Sequence, residues 1–477
     1  VRHFDLIIIG TGSGNSLLDA RFSDLDIALV ERGVFGGTCL NVGCIPTKMF
    51  VHTADLAATP AAAGRLGVDE TLDAVRWPEI RDRVFGRIDP IAEGGKRYRV
   101  EHEDNANVTV YLGEARFTGE RVLTVTLNDG GPQETITADR VVLAAGGRVS
   151  VPAIDGIDDV DYHTSDTVMR LAELPRRIVV LGGGFIAAEF AHVFSSFGTE
   201  VTVVARSGAL LRNEDKDVSA RFTELASAKW DVRLGRKTTR VERVGSGVRL
   251  HLDGPSGPET VDADVLLVAT GRVPNSDRLD VAAGGIDVAP TGHVVVDEYQ
   301  RTSADGVWAL GDICSPWELK HVANHEARVV QHNLLFPDDL RDADHRFVPH
   351  AVFTSPQIAS VGLTEQDAVA RGVEFVTSHQ DYAGIAYGWA MEDTTGFAKL
   401  LADPATGQLL GAHIIGPQAS TLIQPLIQAM SFGLDARTLA RGQYWIHPEH
   451  QVFRQHHRRG LLGLPPVLHR QAEDPGH

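Results

Sequence analysis

Cys39 and Cys44 stand five positions apart in "GGTCLNVGCIPTK", residues 36–48, in a chain of 477 residues with three cysteines. Two thiols at that spacing can cycle as a disulfide, remain unpaired in the structure, or ligate a metal. A zinc site normally uses a C-x2-C pair with two further ligands, and no second cysteine cluster exists here. Three cysteines are too few for a structural disulfide framework in a chain this long. The spacing therefore favours a redox-active disulfide. Gly36 and Gly37 permit close backbone approach, and Pro46 suits the first turn of a helix continuing through "TKMFVHTADLAA". Cys44 then falls near a helix N-terminus, where a thiolate is stabilised. Cys314 has no cysteine near it in sequence and reads as a packing residue.

A disulfide that cycles needs an electron source, and two glycine turns offer sites for one. "DLIIIGTGSGNS" (5–16) and, 172 residues later, "RIVVLGGGFIAAEFAHVF" (177–194) each read as strand, phosphate-binding turn and helix. Glycines let backbone amides approach a pyrophosphate, and the helix N-terminus adds partial positive charge. The first turn keeps Gly10 and Gly12 but has Asn15 at the sixth position, with Gly14 beside it to relieve packing. The second has Gly182, Gly184 and Ala187, the accepted variant. Glu31 ends the second strand of the first unit, 21 residues after Gly10, where a carboxylate accepts from ribose hydroxyls. The equivalent place in the second unit holds Ala205, followed by Arg206 and Arg212. Two arginines without that carboxylate suit a 2′-phosphate; the plainer reading is solvated surface charge. The first site is expected to hold FAD and the second NADPH.

The elements that must carry these turns imply an α/β fold. We expect two Rossmann-like nucleotide-binding domains, for FAD and NADPH, plus an α+β C-terminal domain, which a family resemblance makes a dimerisation domain. The expected boundaries are 1–150 and 270–345 for the FAD domain, 151–269 for the NADPH domain and 346–460 for the interface domain. Residues 461–477 read as an atypical, flexible tail. In the interface domain, Ala351–Thr364 reads as β, Ala419–Gly433 as a helix and Pro404–Gly416 as a hairpin. A net charge of −18 argues against nucleic acid and anionic membranes as partners. No apolar run approaches the roughly 20 residues of a membrane span. The first residues read as a strand and turn rather than a signal peptide, so a cytoplasmic location is expected.

Taken together, these segments resemble the class I pyridine nucleotide–disulfide oxidoreductases over residues 4–448. "GGTCLNVGCIPTK" is similar to the family's redox-disulfide motif. "VLAAGGR", with Gly146, and "LLVATGRVPN", with Arg272, resemble its two crossover segments. "VWALGDI", with Asp312, resembles its second FAD motif, and "YWIHPE", with His447, its C-terminal histidine motif. The resemblance implies a homodimer with the active site shared between subunits. It implies that Gly37, Thr38 and Asp312 contact FAD, that Cys44 is the flavin-side sulfur, and that Cys39 attacks a small-molecule disulfide. It pairs Lys48 with Glu189 near the flavin and makes His447 of the partner subunit the acid–base group. Phe185 stands where some members carry a gating tyrosine.

Two departures bear on function. Val452 stands where the family has a glutamate that holds the histidine. No cysteine follows Cys314, so members with a C-terminal cysteine pair are poor templates. A lipoamide enzyme would keep an acid at position 205. "TGSGNS", "YHTSDTVM", "AYGWAMEDTTG" and "ARGQYWIHP" resemble the branch that reduces the disulfide of a sugar-linked cysteine thiol. Two other readings are a diaphorase and a redox-sensing flavoprotein with an impaired dithiol half-reaction. Turnover of NADPH with a disulfide separates them.

Overall fold

The computed structural model describes residues 1–446. Its first sheet is built around β1 (Arg2–Ile9), which lies between β2 (Ile27–Glu31) and β5 (Glu134–Leu143) and is parallel to both. β2 continues to β3 (Val108–Gly119), and β4 (Val122–Leu127) joins β3 to β5 antiparallel. The strand Val307–Ala309 returns from far along the chain to pair with β5. Both faces are covered, which explains the unbroken apolar run of β1. Phe4, Ile7 and Ile9 enter one core, while Leu6 and Ile8 enter the other.

The second sheet is parallel throughout. Its order is Asp231–Arg233, Glu200–Val204, Arg177–Leu181, Val265–Val268, Tyr162–Thr164. A three-stranded antiparallel sheet, residues 237–263, flanks it. The chain enters and leaves this unit through a two-stranded ribbon, Gly147–Val149 against Arg272–Pro274. The two crossover segments thus stand side by side. A five-stranded antiparallel sheet spanning 349–416 forms the third unit. The α/β architecture is as expected.

Three local expectations need correction. No α-helix follows the first glycine turn. Gly14–Leu17 and Ala20–Phe22 are short 3₁₀ turns instead. The Gly/Ser/Asn run is a poor helix former. The Arg99 guanidinium also takes the carbonyls of Asn15 and Leu18, which a continuing helix would need. The helix expected over 419–433 is two, Ala419–Leu422 and Gln424–Ser431, parted beside Pro425, which has no amide hydrogen to donate. The β segment 351–364 is likewise two strands, Pro349–Val352 and Gln357–Gly362.

A buried polar network joins the second unit to the third. Glu214 accepts from Ser360 Oγ at 2.7 Å and pairs with His350 Nε2 at 2.8 Å. Lys399, buried, bonds Asp215 at 2.8 Å and Asp217 at 2.6 Å and also pairs with Glu365. No helix among the described residues is long and apolar enough to cross a membrane.

Candidate active site

Two helices separated by a two-residue turn present the cysteines: α1 (Gly37–Asn41) carries Cys39, and α2 (Cys44–Ala63) begins at Cys44. Asn41 fixes the entry by donating to Phe35 O at 2.8 Å and Gly37 O at 3.0 Å. Gly36 and Gly37 have positive φ, 98° and 65°. A Cβ on Gly37 would lie 2.7 Å from Gly12 Cα, so the cysteine segment and the first glycine turn touch backbone to backbone. Cys44 is exposed and Cys39 half-buried. The hydrogen bond from Cys39 lowers the Cys44 thiol to about 7, and the Lys48 charge adds to that shift against the opposing effect of burial. The same hydrogen bond, with burial, pushes Cys39 up. Of the two sulfurs, Cys44 carries the thiolate.

Lys48 lies one turn beyond Cys44 and bonds both oxygens of Glu189 at 2.7 Å. Glu189 is buried in α4 (Phe185–Ser196), the helix that follows α3 (Trp77–Glu101) along the chain, and also accepts from Phe353 N at 2.9 Å. Lys48 Nζ sits 4.6 Å from the centre of the Phe353 ring. One ion pair therefore ties the cysteine helix to the second nucleotide unit and to the third.

The residues of the first turn fit a dinucleotide. Among the described residues, the amides of Gly12, Ser13, Gly14 and Asn15 have no backbone acceptor. Four such donors in sequence form a concave anion site. A Cβ on Gly10 would collide with the Ala144 carbonyl, and one on Gly14 would lie 2.7 Å from Ala144 Cβ. Glu31 accepts from Thr11 N at 2.9 Å, Thr11 Oγ1 at 2.7 Å and Gly33 N at 2.6 Å, which aims the carboxylate at the turn. Gly146 has φ 62° and accepts from Asn275 N at 3.0 Å. Arg272 donates to Gly147 O at 2.7 Å and lies 3.8 Å from Asp312. Burial pushes Asp312 up, and Arg272 opposes the shift. Thr38 lies in α1, between Gly37 and Cys39.

The second turn fits a second dinucleotide. Gly182 has φ 141°, and a Cβ there would collide with the Ala269 carbonyl. Gly184 caps α4, Ala187 is buried in its first turn, and Phe185 is exposed beside them. Ala205 is buried. Arg206 and Arg212 are exposed, and among the described residues neither pairs with a carboxylate. Cys314 is buried, and its thiol is pushed up by burial. His447 and Val452 lie outside the described residues.

Three contributors were not visible in the sequence. Lys320 donates to Ser13 Oγ at 2.8 Å, and its charge opposes the upward shift of the Cys39 thiol. Buried Glu326 accepts from Gly311 N at 2.7 Å, next to Asp312. Phe353 packs on Lys48. A lysine opening a helix against its dipole was the one available signal.

The family described as pyridine nucleotide-disulphide oxidoreductase matches residues 4–327, and its dimerisation domain matches residues 348–456. The chain belongs to the pyridine nucleotide-disulphide oxidoreductase family. A mycothione reductase of Mycobacterium tuberculosis is 57% identical over 93% of this chain and 96% of the relative. A mercuric reductase of Streptomyces lividans is 35% identical over 92% of each. A dihydrolipoyl dehydrogenase of Mycobacterium leprae is 31% identical over 97% of this chain and 98% of the relative. Among solved structures, the HOCl-induced flavoprotein disulfide reductase RclA from Escherichia coli superposes with a TM-score of 0.80, at 27% identity, covering 94% of this chain and 98% of that one. This pyridine nucleotide-disulphide oxidoreductase is an enzyme that depends on FAD and NADPH.

Proposed function

We propose that the enzyme reduces mycothione, the disulfide of mycothiol, at the Cys39–Cys44 pair. The observation that carries this reading is the unequal thiol pair beside the first turn, with Cys44 lowered to about 7 and Lys48 one turn away. The 57% identity to a mycothione reductase selects the substrate. When bound, FAD supplies two-electron transfer from NADPH to the disulfide. Gly10, Gly12, Gly14, Glu31, Gly37, Thr38, Gly146, Arg272 and Asp312 hold it. Gly182, Gly184, Ala187, Arg206 and Arg212 hold NADPH.

Cys44 keeps the thiolate on the inner side, so Cys39 remains protonated and needs a base before it attacks. His447 of the partner subunit takes that proton, and Cys39 forms a mixed disulfide with one half of the substrate. His447 returns the proton to the departing thiolate. Cys44 then displaces the second half and closes the disulfide. Lys48, fixed by Glu189, favours the Cys44 thiolate. The functional unit is a homodimer, and the cytoplasm is a compartment reducing enough to keep such a dithiol cycling.

The test is an anaerobic reduction with NADPH followed by one disulfide at a time. Mycothione should reoxidise the dithiol much faster than oxidised glutathione or lipoamide; equal rates, or none with mycothione, overturn the substrate. Val452 carries a second reading, a diaphorase, because valine cannot accept a hydrogen bond from imidazole. Fast quinone reduction alongside slow mycothione reduction selects it.

A further inference from the structure

We propose that Arg99 is the buried counter-charge for the FAD diphosphate, acting as a positioning residue through Asn15 of the first glycine turn. The proposal rests on reading that turn as the FAD site.

Arg99 lies in the last turn of α3 and is 8% exposed. Its Nε donates to Asn15 Oδ1 at 2.7 Å. Nη2 donates to Asn15 O at 2.9 Å and Leu18 O at 3.2 Å, and Nη1 donates to Asn105 Oδ1. Every one of these acceptors is neutral. Among the described residues no carboxylate pairs with Arg99, and burial lowers its pKa with only the Tyr98 phenol to oppose the shift. Buried charges are ordinarily paired with an opposite charge. The end of α3 offers only the partial negative charge of a helix C-terminus.

The missing charge has a place. The guanidinium grips the turn through Asn15 and Leu18, and the amides of Gly12 to Asn15 in the same turn lack backbone acceptors. A diphosphate on those amides would face Arg99 across one layer of backbone. The arrangement also accounts for Asn15, which stands where the fingerprint has glycine. Its Oδ1 and its carbonyl both accept from Arg99, which ties the turn to the guanidinium. Gly14 takes over the close approach, against Ala144 and Ile8.

The test uses the full chain stripped of flavin, with FAD binding followed by quenching of flavin fluorescence and apo-protein melting measured in parallel. Arg99→Gln keeps hydrogen-bond donors but removes the charge, and should weaken FAD binding about tenfold or more. That is the scale of one charge acting across roughly 10 Å at an effective dielectric near 20. Arg99→Lys restores the charge and should recover most of the loss. Asn105→Asp places a carboxylate against the guanidinium, and should raise the apo melting temperature while weakening FAD. FAD affinity within twofold of wild type in Arg99→Gln overturns the proposal. So do equal losses in Gln and Lys accompanied by a falling apo melting temperature, which mark a purely structural clamp. If Arg99→Gln does not fold, Asn105→Asp decides, and unchanged or tighter FAD binding there overturns it. Failure of the wild-type chain to bind FAD sinks the FAD reading itself, and is seen without any variant.

Discussion

Cys44 and Lys48 make a prediction that needs no substrate. In the reduced protein Cys44 should be alkylated with a midpoint near pH 7. Because its folded value is lowered, the thiolate stabilises the reduced protein above the ordinary thiol range, and that contribution is lost as pH falls through about 7. Lys48→Met should move the alkylation midpoint upward; an unmoved midpoint would remove Lys48 from the account. Arg206 and Arg212 make a second. Each charge-assisted phosphate contact is worth about 1.5–3 kcal/mol, so Arg206→Ala with Arg212→Ala should lose NADPH preference by orders of magnitude. Steady-state ratios for NADPH and NADH check it, and a wild-type enzyme indifferent between them would refute it. These residues could be read in the sequence because their chemistry is local: two thiols five apart, or a carboxylate ending a strand. Lys320 could not, since its partner Ser13 is 307 positions away.

Among the elements, α2 and α4 are joined through Lys48 and Glu189 as well as through a shared apolar core containing Phe50, Ala54, Phe190 and Phe194. Removing one member of a buried pair strands the other. Lys48→Met should therefore destabilise the protein by on the order of 3 kcal/mol, read from the urea midpoint. Lys48→Met with Glu189→Leu should recover part of that, because no buried carboxylate is left alone; a double variant worse than the single would refute the argument. Strands were the most legible elements, since β1 and Arg177–Leu181 are apolar runs ending at glycine. Helix limits were less so. The break before Pro425 is legible in the sequence, because proline has no amide hydrogen to donate. The missing helix after Gly14 is only half legible there: the Gly/Ser/Asn run is a poor helix former, but the clamp by Arg99 comes from 84 residues beyond Asn15.

For the whole molecule, the network of Glu214, His350 and Lys399 fastens the second unit to the third. Burial opposes a charge on either member of the Glu214–His350 pair, yet their mutual hydrogen bond and attraction leave His350 raised and Glu214 lowered. His350 thus stabilises the contact below its ordinary range, and that contribution is lost as pH rises through its raised value. Glu214 contributes above the carboxylate range and is lost as acid protonates it. The melting temperature should fall on the alkaline side as His350 discharges, and His350→Gln should abolish that limb. An identical pH profile in the variant would refute it. The two nucleotide-binding units could be read from the repeated glycine turns, whereas this fastening to the third could not, because Glu214 and His350 are 136 positions apart.

The ribbon of Gly147–Val149 and Arg272–Pro274 has a consequence for how such a chain could arise. Ser150 N donates to Gly271 O at 2.8 Å, so the inserted unit starts and stops at one point. To its host the insert is the loop of a hairpin, and closing a longer loop adds little entropy cost. A copied nucleotide-binding segment could therefore be spliced into such a loop without shifting the register of the recipient sheet. The two glycine turns, 172 residues apart, are what duplication followed by that splice would leave behind.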